Sequence, residues 1–130
     1  MADPAALYDE ADKLKDAGKL DDAVAKLNEA LTADPNYALA HFDLANLYDE
    51  RGDRIKALEH YQAALKISPQ YADAHYNLAL LYQASNQPMT AVRHWTEYLK
   101  LDPASHWSSI ARRELAKLRA AAVVHGARQG

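Results

Sequence analysis

The stretch Ala38–Tyr71, ALAHFDLANLYDERGDRIKALEHYQAALKISPQY, is one full period of a repeating sequence. Ala45, Gly52, Ala57, Tyr61, Ala64 and Pro69 mark its fixed positions, and most recur 34 residues forward or back. Pro35, Pro69 and Pro103 keep that spacing, as do Ala11, Ala45 and Ala79, and Ala23, Ala57 and Ala91. A single triplet would be coincidence. Three triplets in fixed mutual phase are not, and a period of this length belongs to stacked helix–turn–helix units that bury apolar surface only against their neighbours.

Outward from that stretch, each unit reads as two helices. Asp3-Pro4 opens the first: the carboxylate can cap exposed N–H groups, and proline at the first helical position loses no hydrogen bond. Leu7, Ala11 and Leu14 follow at helical spacing, and Gly18 ends the helix in the left-handed region that glycine tolerates. Asp21 and Asp22 lie in the next first turn, where the helix dipole favours acid, ahead of the stripe Ala23, Leu27, Ala30 and Leu31. The second unit repeats this with His41, Leu44, Ala45 and Tyr48, then Gly52, Asp53, Ala57, Leu58, Tyr61, Ala64 and Leu65. In the third, Leu78, Ala79 and Tyr82 are followed by Asn86 in the glycine position, then Pro88, Ala91, Val92, Trp95 and Leu99. Past Pro103 a single helix is expected, with Trp107, Ile110, Ala111, Leu115, Leu118 and Ala122 as its apolar stripe.

Composition sets the outer limits. The 130 residues suffice for one domain with its own core, 49% are hydrophobic and 25% charged, and cysteine is absent. Disulfides and thiolate metal sites are therefore excluded. No apolar run reaches the roughly 18 residues of a membrane span. Met1-Ala2-Asp3-Pro4-Ala5 lacks the basic and apolar regions of a signal peptide, so a cytoplasmic location is expected. The net charge of −3 conceals a polarity: residues 1–50 hold 12 acidic against 4 basic residues, and residues 51–130 hold 6 against 11. That predicts an electrically dipolar molecule.

Leu44-Ala45, Tyr48, Gly52-Asp53, Ala57, Tyr61, Ala64-Leu65 and Pro69 together resemble the tetratricopeptide repeat, and the resemblance extends over roughly Pro4–Ser105. It implies an all-α fold: a right-handed superhelical solenoid of three helix-turn-helix repeats plus a C-terminal capping helix. The repeats would span 4–37, 38–71 and 72–105, the cap 106–122, and residues 123–130 a disordered tail. Two departures mark the ends. Glu10 stands where the other copies have Leu44 and Leu78, and Tyr98 stands where they have Ala30 and Ala64. The tyrosine is expected to tilt the last helix off the regular stacking angle.

The resemblance also implies a binding scaffold without chemistry of its own, whose first helices line a concave groove. Helical geometry places Tyr8, Asp9, Asp12 and Asp16 there in the first unit, with Lys15 among them. The second contributes Phe42, Asp43, Asn46, Asp49 and Glu50, and the third Asp73, Tyr76, Asn77 and Leu80. Tyr8, Phe42 and Tyr76 share one repeat position and would form a ladder of aromatic anchors. The acidic residues favour a basic extended or helical segment, and Asn46 and Asn77 suit a ligand backbone. Relatives that grip the C-terminal carboxylate of heat-shock chaperones use Lys and Arg at these groove positions. Tyr8, Asp12, Asp43, Asp73 and Asn77 occupy them here, so no such binding is expected.

Other chemistry finds little support. His41 and His75 are repeat-equivalent, as are His60 and His94, without metal-ligand spacing, so no metal and no cofactor is expected. His41 and His75 fall on the buried side, where they would make stability pH-sensitive. Scarce glycine leaves no phosphate loop, Ser108-Ser109 lacks a base, and no carboxylate pair stands apart, so the chain reads as no enzyme and binds no small-molecule substrate. Arg112, Arg113, Lys117, Arg119 and Arg128 lack the aromatic interleaving of a nucleic-acid surface. Arg112, Arg113, Lys117 and Arg119 suit self-association better, basic end to acidic end. The alternative is a self-association or regulatory module from a larger protein. In favour of it, His94-Trp95 and Leu101-Asp102-Pro103 look similar to repeat modules fused to bacterial helix-turn-helix DNA-binding regulators.

Overall fold

The computed structural model describes residues 3–129; Met1, Ala2 and Gly130 lie outside the described residues, as do the side chains of 127–129. Among the described residues the chain forms α-helices and no strand: α1 (Pro4–Asp16), α2 (Leu20–Ala33), α3 (Ala38–Glu50), α4 (Arg54–Ile67), α5 (Ala72–Ala84), α6 (Pro88–Leu101) and α7 (His106–Gln129). They gather into two compact units, Met1–Pro69 and Gln70–Gly130. The first holds two helical hairpins, the second one hairpin and α7.

Local chemistry sets the helix ends. Asp3 caps α1 by accepting from the Ala5 N–H at 3.2 Å, with Pro4 in the first turn, and Asp53 caps α4 by accepting from Lys56 N–H at 3.1 Å. Each hairpin turns through one left-handed residue: Gly18 at φ +78°, Gly52 at φ +80° and Asn86 at φ +58°. The three turns close alike. Lys19 N–H donates to the Leu14 carbonyl at 2.8 Å, Asp53 to Tyr48 at 2.9 Å and Gln87 to Tyr82 at 2.8 Å. These bonds satisfy helix-end carbonyls that would otherwise lie idle.

Alanine lets the helices of a hairpin approach. Ala23, Ala57 and Ala91 are fully buried in their hairpins, as are Ala45 and Ala79, with Ala11 nearly so. A larger side chain at such a place would have to displace a neighbouring helix. Leu27, Tyr61 and Trp95 share one repeat position and are all buried, so the same slot carries growing bulk along the chain. Full burial of side chains of this size contributes about 1.5–3 kcal/mol each. In the first unit Leu7, Ala11, Ala23, Leu27, Ala30, Ala40, Leu44 and Leu47 make one core.

The terminal helix departs from the expected stripe. Ala111 and Leu115 are buried, whereas Trp107 is 57% exposed and Ser108 is fully buried beside it. Ser108 can be buried because its hydroxyl donates to the Ser105 carbonyl at 2.6 Å, while its N–H reaches the Ser105 hydroxyl at 3.2 Å. Ala122 is exposed, and α7 does not stop there but runs to Gln129 where a disordered tail was expected. Ala120-Ala121-Ala122 carry the highest helix propensity and nothing after them breaks the helix outright.

Candidate functional site

In the first unit the expected groove positions form an acidic surface with one buried member. Asp9, Asp12, Asp16, Asp49 and Glu50 are exposed. Asp43, expected on the solvent wall, is only 8% exposed. Its carboxylate accepts a hydrogen bond from the Tyr8 hydroxyl and lies 3.8 Å from Lys15 Nζ, which also meets Asp12 at 3.2 Å. Burial pushes the Asp43 carboxyl above its ordinary range, against the pull of Lys15 and Tyr8. Burial would lower Lys15, but the charge of Asp43 and the bond to Asp12 hold it above the usual lysine value.

The rings of Tyr8, Phe42 and Tyr76 are each half-buried. Tyr8 lies against Tyr37 with centroids 5.6 Å apart, and Phe42 meets Tyr61 edge-on at 5.9 Å. The Tyr61 hydroxyl donates to Asn46 Oδ1, so the side chain expected to serve a ligand backbone also serves the hairpin.

In the second unit Tyr76 sits in a cage of rings. Its centroid lies 4.8 Å from Trp95, 5.1 Å from Tyr98 and 5.9 Å from Trp107, each crossing near a right angle. Such edge-to-face contacts add about 0.5–1.5 kcal/mol beyond area burial. The frame is held by polar bonds: Trp95 Nε1 donates to Gln83 Oε1 at 2.5 Å, and the Tyr98 hydroxyl donates to Asp102 at 2.6 Å. Burial raises the phenol pKa of both Tyr76 and Tyr98, with Glu114 adding to the first and Asp102 to the second. Asp73 is exposed, Asn77 half-buried, and Leu80 presents 44% of its surface. Trp107 joins this site although its spacing assigned it to the core. Its signal was a large aromatic just past the closing proline, where no repeat constrains the helix phase.

The basic residues of α7 are partly spoken for. Arg112 donates to the Pro103 carbonyl, and Glu114 lies 3.8 Å from Arg113 and 3.5 Å from Lys117. Arg119 is exposed. The side chain of Arg128 lies outside the described residues. Among the described residues no group of three or more metal-ligating side chains forms, and no helix is long and apolar enough to cross a membrane. What the site presents is aromatic rings, two of them phenols, beside surface carboxylates.

A family model described as TPR repeat matches residues 11–52 and 46–86, more than half of the chain. No curated protein matches. Among solved structures, the first TPR of Spaghetti (RPAP3) bound to the HSP90 peptide SRMEEVD is similar, with a TM-score of 0.82 and 21% identity over 92% of this chain and 93% of that one. A tetratricopeptide repeat protein from Parabacteroides merdae ATCC 43184 is similar at TM-score 0.80 and 26% identity, over 90% of this chain and 46% of that one. The TPR domain of P58(IPK) is similar at TM-score 0.89 and 21% identity, over 96% and 35%.

Proposed function

The chain belongs to the tetratricopeptide repeat family, and from that premise we propose that it is a non-catalytic scaffold for another protein, holding a basic extended or helical segment against its first helices. The carrying observation is the set of exposed carboxylates on α1 and α3, Asp9, Asp12, Asp16, Asp49 and Glu50, beside the half-buried rings of Tyr8 and Phe42. A surface of one sign attracts the opposite sign and speeds encounter, while rings supply contact area at low entropic cost. In the second unit Tyr76, Leu80 and Trp107 supply anchors with less charge. Asn46, Asn77 and Asp73 complete the contact set. A cytoplasmic setting and the absence of small-molecule, nucleic-acid and membrane partners belong to the same reading.

The solved neighbour bound to SRMEEVD sharpens the choice of ligand. That peptide ends in acidic residues and a carboxylate, which the carboxylates of α1 and α3 repel. The test is anisotropy of labelled basic, neutral and acidic peptides, SRMEEVD among them, at low and physiological salt. Wild type is expected to bind the basic peptide, with salt weakening it and Tyr8→Ala/Phe42→Ala/Tyr76→Ala abolishing it. Micromolar binding of SRMEEVD, or equal binding by the triple variant, overturns the reading.

Self-association through Arg112, Arg113, Lys117 and Arg119 is the weaker reading, because the first three already meet Pro103 and Glu114 in their own unit. It would be restored by a salt-sensitive dimer in light scattering.

A further inference from the structure

Two hairpins carry the same polar cluster. His41 of α3 and His60 of α4 face each other with Nδ1 atoms 3.0 Å apart and ring centroids at 5.3 Å. Tyr48 stacks on His60 at 5.6 Å with planes 15° apart. In the second unit His75 of α5 and His94 of α6 repeat this, with Nδ1 atoms 3.1 Å apart and centroids at 5.3 Å. Tyr82 stacks on His94 at 5.5 Å and 10°. Both pairs join residues 19 apart. The first hairpin has Leu7 and Lys26 at the corresponding positions, and no such pair.

An N–H···N bond needs a hydrogen on one ring nitrogen and a lone pair on the other. Two neutral rings satisfy this, and so do one neutral ring and one imidazolium. Two imidazoliums do not, because each Nδ1 then carries hydrogen and positive charges meet within about 3 Å. In the first pair the other nitrogen of His41, Nε2, lies 3.2 Å from the Pro35 carbonyl and therefore carries hydrogen. Neutral His41 then accepts through Nδ1, and His60 donates.

We propose that each histidine pair is a one-proton clamp between the helices of its hairpin, which holds with no added proton or one and opens when a second arrives. The surrounding charges divide. Around His60, Glu59 favours charge, while Lys56 and His41 oppose it; Lys56 Nζ also lies 5.2 Å from the Tyr48 ring centre. Lys66 lines the open cleft that exposes His41. Around His94, Glu97 favours charge, while His75 and Arg93 oppose it. Burial pulls both His60 and His94 below the ordinary histidine value, His94 to about 4. The folded values lie below the unfolded one, so this stability is fully present above about pH 6.5 and is lost as pH falls through the folded values. The residues next in sequence are Tyr61 and Trp95, whose rings touch Phe42 and Tyr76, so an opened clamp loosens those ring contacts within each hairpin.

The test compares wild type with His60→Gln/His94→Gln, where glutamine keeps hydrogen bonding without titrating. Between pH 7 and pH 5, above the range of ordinary carboxylates, the wild-type folding constant is expected to fall about tenfold or more, solvent screening of these half-buried rings keeping it well below the unscreened limit. The double variant is expected to lose most of that fall. A variant with the wild-type slope overturns the clamp. Should the variant fail to fold, ring-nitrogen NMR of wild type decides. Scalar coupling between paired Nδ1 nuclei, with one proton taken up per pair before unfolding, supports it. Two protonated rings in a pair whose hairpin remains folded overturn it.

Discussion

The two units build their exposed first-helix surfaces from one repeat pattern and arrive at different chemistry. In the first, Asp9, Asp12 and Asp16 lie open to solvent, and Tyr8 spends its hydroxyl on the buried Asp43. In the second, Tyr76 at the same repeat position meets Trp95, Tyr98 and Trp107, with only Asp73 of the expected acids nearby in sequence. Charge that acts at a distance gathers in one unit, and rings that act on contact gather in the other. The lesson is that the repeat fixes where a side chain stands, while its neighbours decide whether it attracts or anchors.

The sharpest way to break this contrast is to remove the pillar of the aromatic unit. Trp95→Ala is expected to lower unfolding free energy by about 3–5 kcal/mol in urea melts. A loss below about 1 kcal/mol would mean that the cage is not what holds Tyr76 in place. Next comes Trp107→Ala. Because Trp107 is 57% exposed, stability should move by no more than about 1–2 kcal/mol, mostly the lost ring contact with Tyr76, yet affinity for the basic peptide should fall about tenfold or more, read by anisotropy. Unchanged affinity would return the whole anchoring role to Tyr76 and Leu80.

The smallest effect concerns the acidic unit. Burial raises the Asp43 carboxyl in the folded state above its unfolded value, so its ionised form opposes folding; the opposition is full above the folded value and is gone once pH falls below the unfolded one. Asp43→Asn, which can still accept from Tyr8, is therefore expected to raise the melting temperature slightly at pH 7 and to leave it unchanged near pH 3. A lower melting temperature at pH 7 would show that the ion pair with Lys15 outweighs desolvation.

Much of this was legible in advance. The 34-residue spacing of proline and alanine fixed the hairpins, and Asn86 in place of glycine foretold the left-handed turn that φ +58° displays. The shared position of Tyr8, Phe42 and Tyr76 was equally plain. Burial of Asp43 was not, because periodicity assigns a residue to a helix face without saying what covers that face from Tyr8 and Lys15. Trp107 and Ser108 exchanged roles for a related reason: α7 has no repeat to set its phase, and a shift of one residue turns a helix by about 100°. The histidine pairs left a trace in the equal spacing of His41 to His60 and His75 to His94. Only rings turned toward each other give that spacing a meaning.

The unequal burial of the two tryptophans equips the molecule with its own pair of optical gauges. Trp95 is fully enclosed, while Trp107 has 57% of its surface open beside Tyr76. Emission from Trp95 is therefore expected to be blue-shifted and insensitive to iodide for as long as its unit is folded, and that from Trp107 to lie to the red and be quenched. A ligand that covers Trp107 should take away the iodide-sensitive share of the light and leave the blue share untouched, so occupancy and integrity are read from one unlabelled sample.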